Sequence, residues 1–173
     1  MSIGKGFTLV EMVVVMAIIS LLSVGIIGGY HYVAKQEMLQ GAQEVQSIIQ
    51  VMQQKAALRN STYKLQRYEV DGQGILIVRA NTREELRYVV PKYLEVHIGT
   101  QENYFISGKS ICFTEDISPS ESGTLTVWHK RIPYHLRMTV RPVTGLVTIY
   151  PIEKNPGGKS FEEYISNRLY GLW

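Results

Sequence analysis

Two hydrophobic periods divide this chain. From Phe7 to Gly29 almost every position is apolar, and Glu11 is the one charged residue in the run. At 1.5 Å per helical residue, about 20 such residues cross the hydrocarbon of a bilayer. Beyond it, Met38, Ala42, Val45, Ile49, Met52 and Ala56 recur at spacings of four and three, which draws one apolar stripe along a helix. Glutamines 36, 40, 43, 46, 50, 53 and 54 occupy other faces, and no proline occurs before Pro91. The spacing therefore predicts one helix from about Phe7 to Arg59, ended by Asn60-Ser61.

The period then changes. Tyr63, Leu65 and Tyr68 alternate with polar residues, and Asp71-Gly-Gln-Gly74 is a turn cluster. Strands are expected over Ile75–Val78, Leu86–Val90, Tyr93–Ile98 and Ser110–Thr114. Three more follow, over Gly123–Trp128, Leu136–Arg141 and Leu146–Tyr150, with Val143-Thr-Gly145 as the clearest hairpin signal. A helix followed by an antiparallel sheet gives an α+β class. The helix stripe is expected to fill one face of that sheet.

Composition narrows the function. Outside the apolar run there is enough chain for a stalk and one domain. The formal net charge is +3, too small for binding a polyanion by bulk electrostatics. Cys112 is the only cysteine, which leaves no intramolecular disulfide, and its strand context predicts a small core residue. No CxxC or His/Cys cluster suggests a metal. There is no nucleophile elbow, HExxH or phosphate loop. Neighbouring acids such as Glu84-Glu85 would point to opposite faces of a strand. No catalysis and no cofactor are expected.

Glu11 carries the most information. A carboxylate inside an apolar span is costly and calls for a partner. A secretory signal peptide has an apolar core of about 7–15 residues with its cleavage site after the core. Here the core is longer, and Gly4-Lys5-Gly6 precedes it. A plain signal anchor would explain the span but not Glu11.

Gly6-Phe7-Thr8-Leu9-Val10-Glu11, followed by Met12–Leu22, resembles the class III signal of type IV pilins and pseudopilins. The resemblance implies a leader peptide over residues 1–6, cleavage between Gly6 and Phe7 by a prepilin peptidase, and N-methylation of Phe7. Lys5 fits a cytoplasmic leader, because positive charge stays inside. Glu11 would be the assembly carboxylate, paired in a filament with the α-amine of a neighbouring subunit. With less specificity, residues 43–60 and the strand pattern closing at Gly145–Ile149 are similar to minor pseudopilins of the GspH/FimT type and of Gram-positive competence systems. The organisation expected is a membrane and assembly helix over 7–29, its amphipathic half over 30–60, a β-rich head over 61–150, and a tail over 151–173. The implied partners are other pilins or pseudopilins, the prepilin peptidase and the membrane. The head is expected outside the cytoplasmic membrane. DNA uptake, a secretion pseudopilus and a motility or adhesion pilus share this architecture.

Two stretches hold candidate contacts. Between Glu121 and Glu153 no acid occurs, while Lys130, Arg131, Arg137 and Arg141 lie among Trp128 and Tyr134. Phosphate neutralisation with aromatic stacking is the chemistry of sequence-blind strand binding, so DNA is a candidate partner. A solvated or edge-protecting face is the other reading. In the tail, Pro151–Lys159 reads as a linker, and Ser160-Phe-Glu-Glu163 has capping-box spacing. Phe161, Tyr164, Tyr170 and Trp173 either fold back onto the sheet or dock a partner.

Overall fold

The structure is a computed structural model that describes residues 8–99, 110–114, 123–141, 144–155, 158 and 161. The chain forms two compact units, Met1–Ala34 and Lys35–Trp173. One helix, α1 (Leu9–Arg59), begins in the first unit and ends in the second.

In the first unit α1 is apolar and exposed, with Leu9, Leu21, Val24 and Ile26 all at least 70% accessible. It is long and apolar enough to cross a membrane. Its hydroxyls bond to its own backbone: Ser20 Oγ donates to the Met16 carbonyl and Ser23 Oγ to that of Ile19, each at 2.8 Å. Such internal satisfaction is what a segment in hydrocarbon requires. Glycines 25, 28 and 29 have nothing within 4 Å of an added Cβ, so they mark no close packing inside this unit.

In the second unit the stripe behaves as the spacing predicts. Met38, Ala42, Val45, Ile49 and Ala56 are fully buried, and Met52 is 1% exposed. Burying each Met, Ile or Val side chain contributes about 1.5–3 kcal/mol, which makes this stripe the main cohesion between helix and sheets. α1 stops where Asn60 adopts a left-handed φ of 49° and the Ser61 N–H donates to the Ala56 carbonyl at 3.3 Å. That is the Schellman closure, with Asn in the position usually held by Gly.

The strands form two sheets, not the single one expected. The first contains β1 (Tyr63–Val70), β2 (Gln73–Ala80), β3 (Arg83–Val89) and β5 (Ser110–Phe113) in the order β3-β2-β1-β5. The second contains β4 (Leu94–Gly99), β6 (Gly123–His129), β7 (Tyr134–Val140) and β8 (Val147–Ile149) in that order, with β9 (Glu153–Lys154) also on β7. All pairings are antiparallel. Asp71 and Gly72 have φ of 52° and 71°, so the first hairpin turns in two residues and β2 starts at Gln73, earlier than its apolar run. Asn81, at φ 55°, turns the second hairpin, for which the sequence reading had no turn. The split between sheets falls at the Pro91 turn, where β3 ends and β4 pairs with β6 instead.

Both layers meet the helix. An added Cβ on Gly41 would sit 2.6 Å from Leu94 Cδ1, which shows how tightly α1 lies against β4. On the other sheet, the Tyr88 hydroxyl donates to Glu44 Oε2 at 2.6 Å, and Lys55 and Arg59 reach Glu85 at 3.4 and 3.1 Å. Cys112 corrects an expectation. It lies in β5 as read, but Ile111 and Phe113 are the buried residues there, and alternation leaves Cys112 on the half-exposed face.

Candidate functional site

The described part of the N-terminus starts at Thr8, so the Gly6–Phe7 junction lies outside it. Thr8 and Glu11 form a reciprocal cap. The Thr8 N–H and hydroxyl donate to Glu11 Oε2 at 2.8 and 3.0 Å, and the Glu11 N–H donates to Thr8 Oγ1 at 3.3 Å. Two of the unpaired N–H groups at the helix start are thereby satisfied. The chemical effect is to hold the Glu11 carboxylate at the first turn, four residues from Phe7, whose amine is the candidate N-terminus. The T-x-x-E spacing was present in the sequence, but the sequence reading gave Glu11 an intermolecular role only.

Sequence reasoning treated Trp128 to Arg141 as one basic, aromatic set. The structure divides it. Trp128 is 3% exposed, its ring stacked on His135 with centroids 4.8 Å apart and packed on Phe161 at 5.6 Å. It is a core residue of the head, because β6 is buried on both faces. Tyr134 receives the Lys35 ammonium 4.2 Å above its ring. Lys130 and Arg131 sit in the β6–β7 turn, and Lys130 Nζ lies 3.6 Å from Glu95 Oε2. Arg137 lies on β7, its guanidinium 4.5 Å over the Tyr150 ring, and Arg141 is exposed just after that strand. Arg131 lies in the turn before β7 and Arg141 just past its far end, so the seven residues of that strand, about 23 Å, run between them. The two groups are distinct surfaces.

The turn group contains residues the sequence did not point to. Lys92 and Tyr93, from the turn before β4, join Lys130 and Arg131 around an open depression of about 410 Å³. The Lys130 N–H donates to the Tyr93 carbonyl at 3.0 Å, which locks the two turns together. No spacing in the chain could have paired residues this far apart in sequence; the signal was the β4–β6 pairing itself.

Behind the depression lies a buried ionic cluster. Arg67 on β1 pairs with Glu95 on β4 and lies 3.3 Å from Glu69. His97 Nε2 is 3.9 Å from Glu95 Oε1, yet burial, with the nearby Arg67 charge, pushes the His97 imidazole down to about 4, so it is neutral at pH 7. Burial also lowers His129, opposed by Glu37 at 3.5 Å. Among the described residues no group of His, Cys, Asp and Glu could hold a metal ion.

Of the tail, Phe161 is described and is folded back: its ring lies 5.3 Å from His97 and against Trp128. Glu153–Lys154 pairs with β7 inside the stretch read as linker, and His135 Nδ1 meets Asn155 Oδ1 at 3.0 Å. Tyr164, Tyr170 and Trp173 lie outside the described residues.

Comparison with known proteins agrees with this geometry. Residues 1–27 match the family model of the prokaryotic N-terminal methylation motif. No curated protein matches the chain by sequence. Two crystal forms of the type IV minor pilin FimU from Pseudomonas aeruginosa are similar in structure, at 11% and 12% identity and a TM-score of 0.50. They cover 65% and 73% of this chain and 92% and 93% of theirs. The minor pseudopilin EpsH of the Type 2 Secretion System of Vibrio cholerae is similar at 13% identity and a TM-score of 0.50, covering 66% of this chain and 96% of its own. The chain thus carries a prokaryotic N-terminal methylation motif over residues 1–27 and, behind it, a fold similar to that of minor pilins and pseudopilins.

Proposed function

We propose that this chain is a prepilin, cut between Gly6 and Phe7, N-methylated on Phe7 and assembled as a minor subunit of a short filament for DNA uptake. The observation that carries the assembly reading is the Thr8–Glu11 cap within the matched motif. Cleavage before Phe7 creates an amine. In the dry core of a helix bundle, that charge and the Glu11 carboxylate each need a partner, and each can serve the other between neighbours. Apolar packing of the 7–29 segments supplies cohesion, and the ion pair sets register. The head lies on the extracytoplasmic side, consistent with Lys5 in the leader.

DNA contact is assigned to the β7 group. Arg137, stacked on Tyr150, and the exposed Arg141 offer two cations with an aromatic support, suited to a phosphate backbone. Reversing both charges, with Arg137→Glu and Arg141→Glu, should lower transformation by about tenfold or more while filaments still form. Unchanged transformation, with protein secretion or surface piliation lost in a deletion of the gene, would favour the second reading. That reading, a secretion pseudopilus or pilus subunit, draws on the equal likeness to EpsH and FimU. A chain that never co-purifies with other class III signal proteins would instead be a membrane-anchored binding domain.

A further inference from the structure

Within the second unit, the turn group sits where the chain enters the head. Lys35, the first residue of that unit, lies over Tyr134; Glu37 meets His129; and Gly41 abuts Leu94. The turns bearing Lys92-Tyr93 and Lys130-Arg131 therefore flank the first helical turns of the head. Lys154 lies opposite Tyr134 in the β7–β9 register, which adds another exposed cation to this end. The acids here are turned to other work. Glu95 is buried against Arg67 and Lys130, Glu37 faces His129, and Glu153 faces His135. Lys92 and Arg131 are exposed, and Tyr93 is 42% exposed beside them.

Covalent geometry adds a constraint. Five residues separate Gly29 from Lys35, so Lys35 itself cannot lie more than about 20 Å from the end of the apolar run. Clustered Lys and Arg beside a membrane segment are attracted to anionic headgroups within about a Debye length, and Tyr settles at the same interface.

We propose that the entry end of the head, centred on Lys92, Tyr93, Lys130 and Arg131, docks on anionic lipid headgroups while the subunit is still in the membrane. Docking would hold the head down on the bilayer before assembly, and extraction into a filament would release it. Lipid is favoured over a nucleic acid strand at this end because the tether keeps these cations near the bilayer, where an anionic surface repels a polyanion. The inference rests on the reading of residues 7–29 as a membrane anchor.

The test uses the full-length chain in nanodiscs of phosphatidylcholine, with and without phosphatidylglycerol. Acetylation of Lys92 is followed by mass spectrometry, with the exposed Lys64 on β1 as internal reference. Lys92 should react about threefold more slowly in the anionic discs, and high salt should erase the difference. Equal Lys92 rates in both discs would overturn the docking proposal and leave the anchor reading intact. Protection that appears only when single-stranded DNA is added to zwitterionic discs would also overturn it, and would assign the cluster to nucleic acid. Failure of the chain to enter nanodiscs at all would remove the anchor reading itself.

Discussion

Arg67 on β1 and Glu95 on β4 form an ion pair between the two sheets, with side chains only 9% and 7% exposed. Removing either charge alone leaves the other in the interior with only a longer contact, Glu69 for Arg67 and Lys130 for Glu95. Glu95→Ala should therefore destabilise the head by about 3–5 kcal/mol, whereas Arg67→Met with Glu95→Leu should recover much of that loss. Urea unfolding of the single and double variants checks this. A single-variant loss under about 1 kcal/mol would mean the pair is effectively solvated.

His97 makes stability depend on pH. Its folded value is about 4 against an ordinary value near 6.5, so the unfolded chain takes up a proton first as pH falls. Stability is then fully present above about 6.5, is lost as pH drops toward 4, and levels off below. The loss is on the order of 3 kcal/mol. His129 is shifted in the same direction and adds to the slope. His97→Leu should flatten the stability curve between pH 4 and 6.5; an unchanged slope would assign the dependence elsewhere.

Much of the fold was legible because it rests on local period. The Met38–Ala56 stripe and the alternation in β1 and β7 each follow from a residue's immediate neighbours. The division into two sheets was not legible, because a period of two says which face a residue takes and not which strand it pairs with. The same limit hid the meeting of Lys92 with Lys130; Cys112, by contrast, was assigned from residue type, where its alternation with Ile111 and Phe113 puts it on the half-exposed face. Trp128 misled for a related reason. A tryptophan beside basic residues suits strand binding, but Phe161 and His135 cover it.

Gly41 separates packing from propensity. Gly41→Ala gains about 1 kcal/mol in helix propensity but drives a Cβ to within 2.6 Å of Leu94 Cδ1, and overpacking costs about 1–3 kcal/mol. A net loss near 1 kcal/mol is expected by thermal or urea unfolding. Gly28→Ala meets nothing within 4 Å in its own unit and should leave the head's unfolding unchanged. Stabilisation by Gly41→Ala would show that Leu94 moves aside freely.

Phe161 anchors the fold-back of the tail. In a Trp173→Phe background, which leaves Trp128 as the only tryptophan, Phe161→Ala should move the emission to longer wavelength and cost about 1–3 kcal/mol. An unshifted emission would mean that other groups cover Trp128 and that the contact is incidental.

Glu11 should matter for assembly and not for processing. Glu11→Gln keeps an oxygen for the Thr8 cap but removes the charge that pairs with an incoming amine. It should yield normal processing and at least about tenfold fewer filaments, the cost of one buried pair left half-made. Normal filament yield would show that apolar packing alone sets the register.

The account depends above all on what happens at Gly6 and Phe7. The most direct measurement is the intact mass and N-terminal residue of the chain recovered from its native membrane, with and without the prepilin peptidase. A chain that begins at N-methyl-Phe7 only when the peptidase is present is the predicted result. A chain that still begins at Met1 in cells with active peptidase would contradict it, and the role given to Glu11 would fall with it.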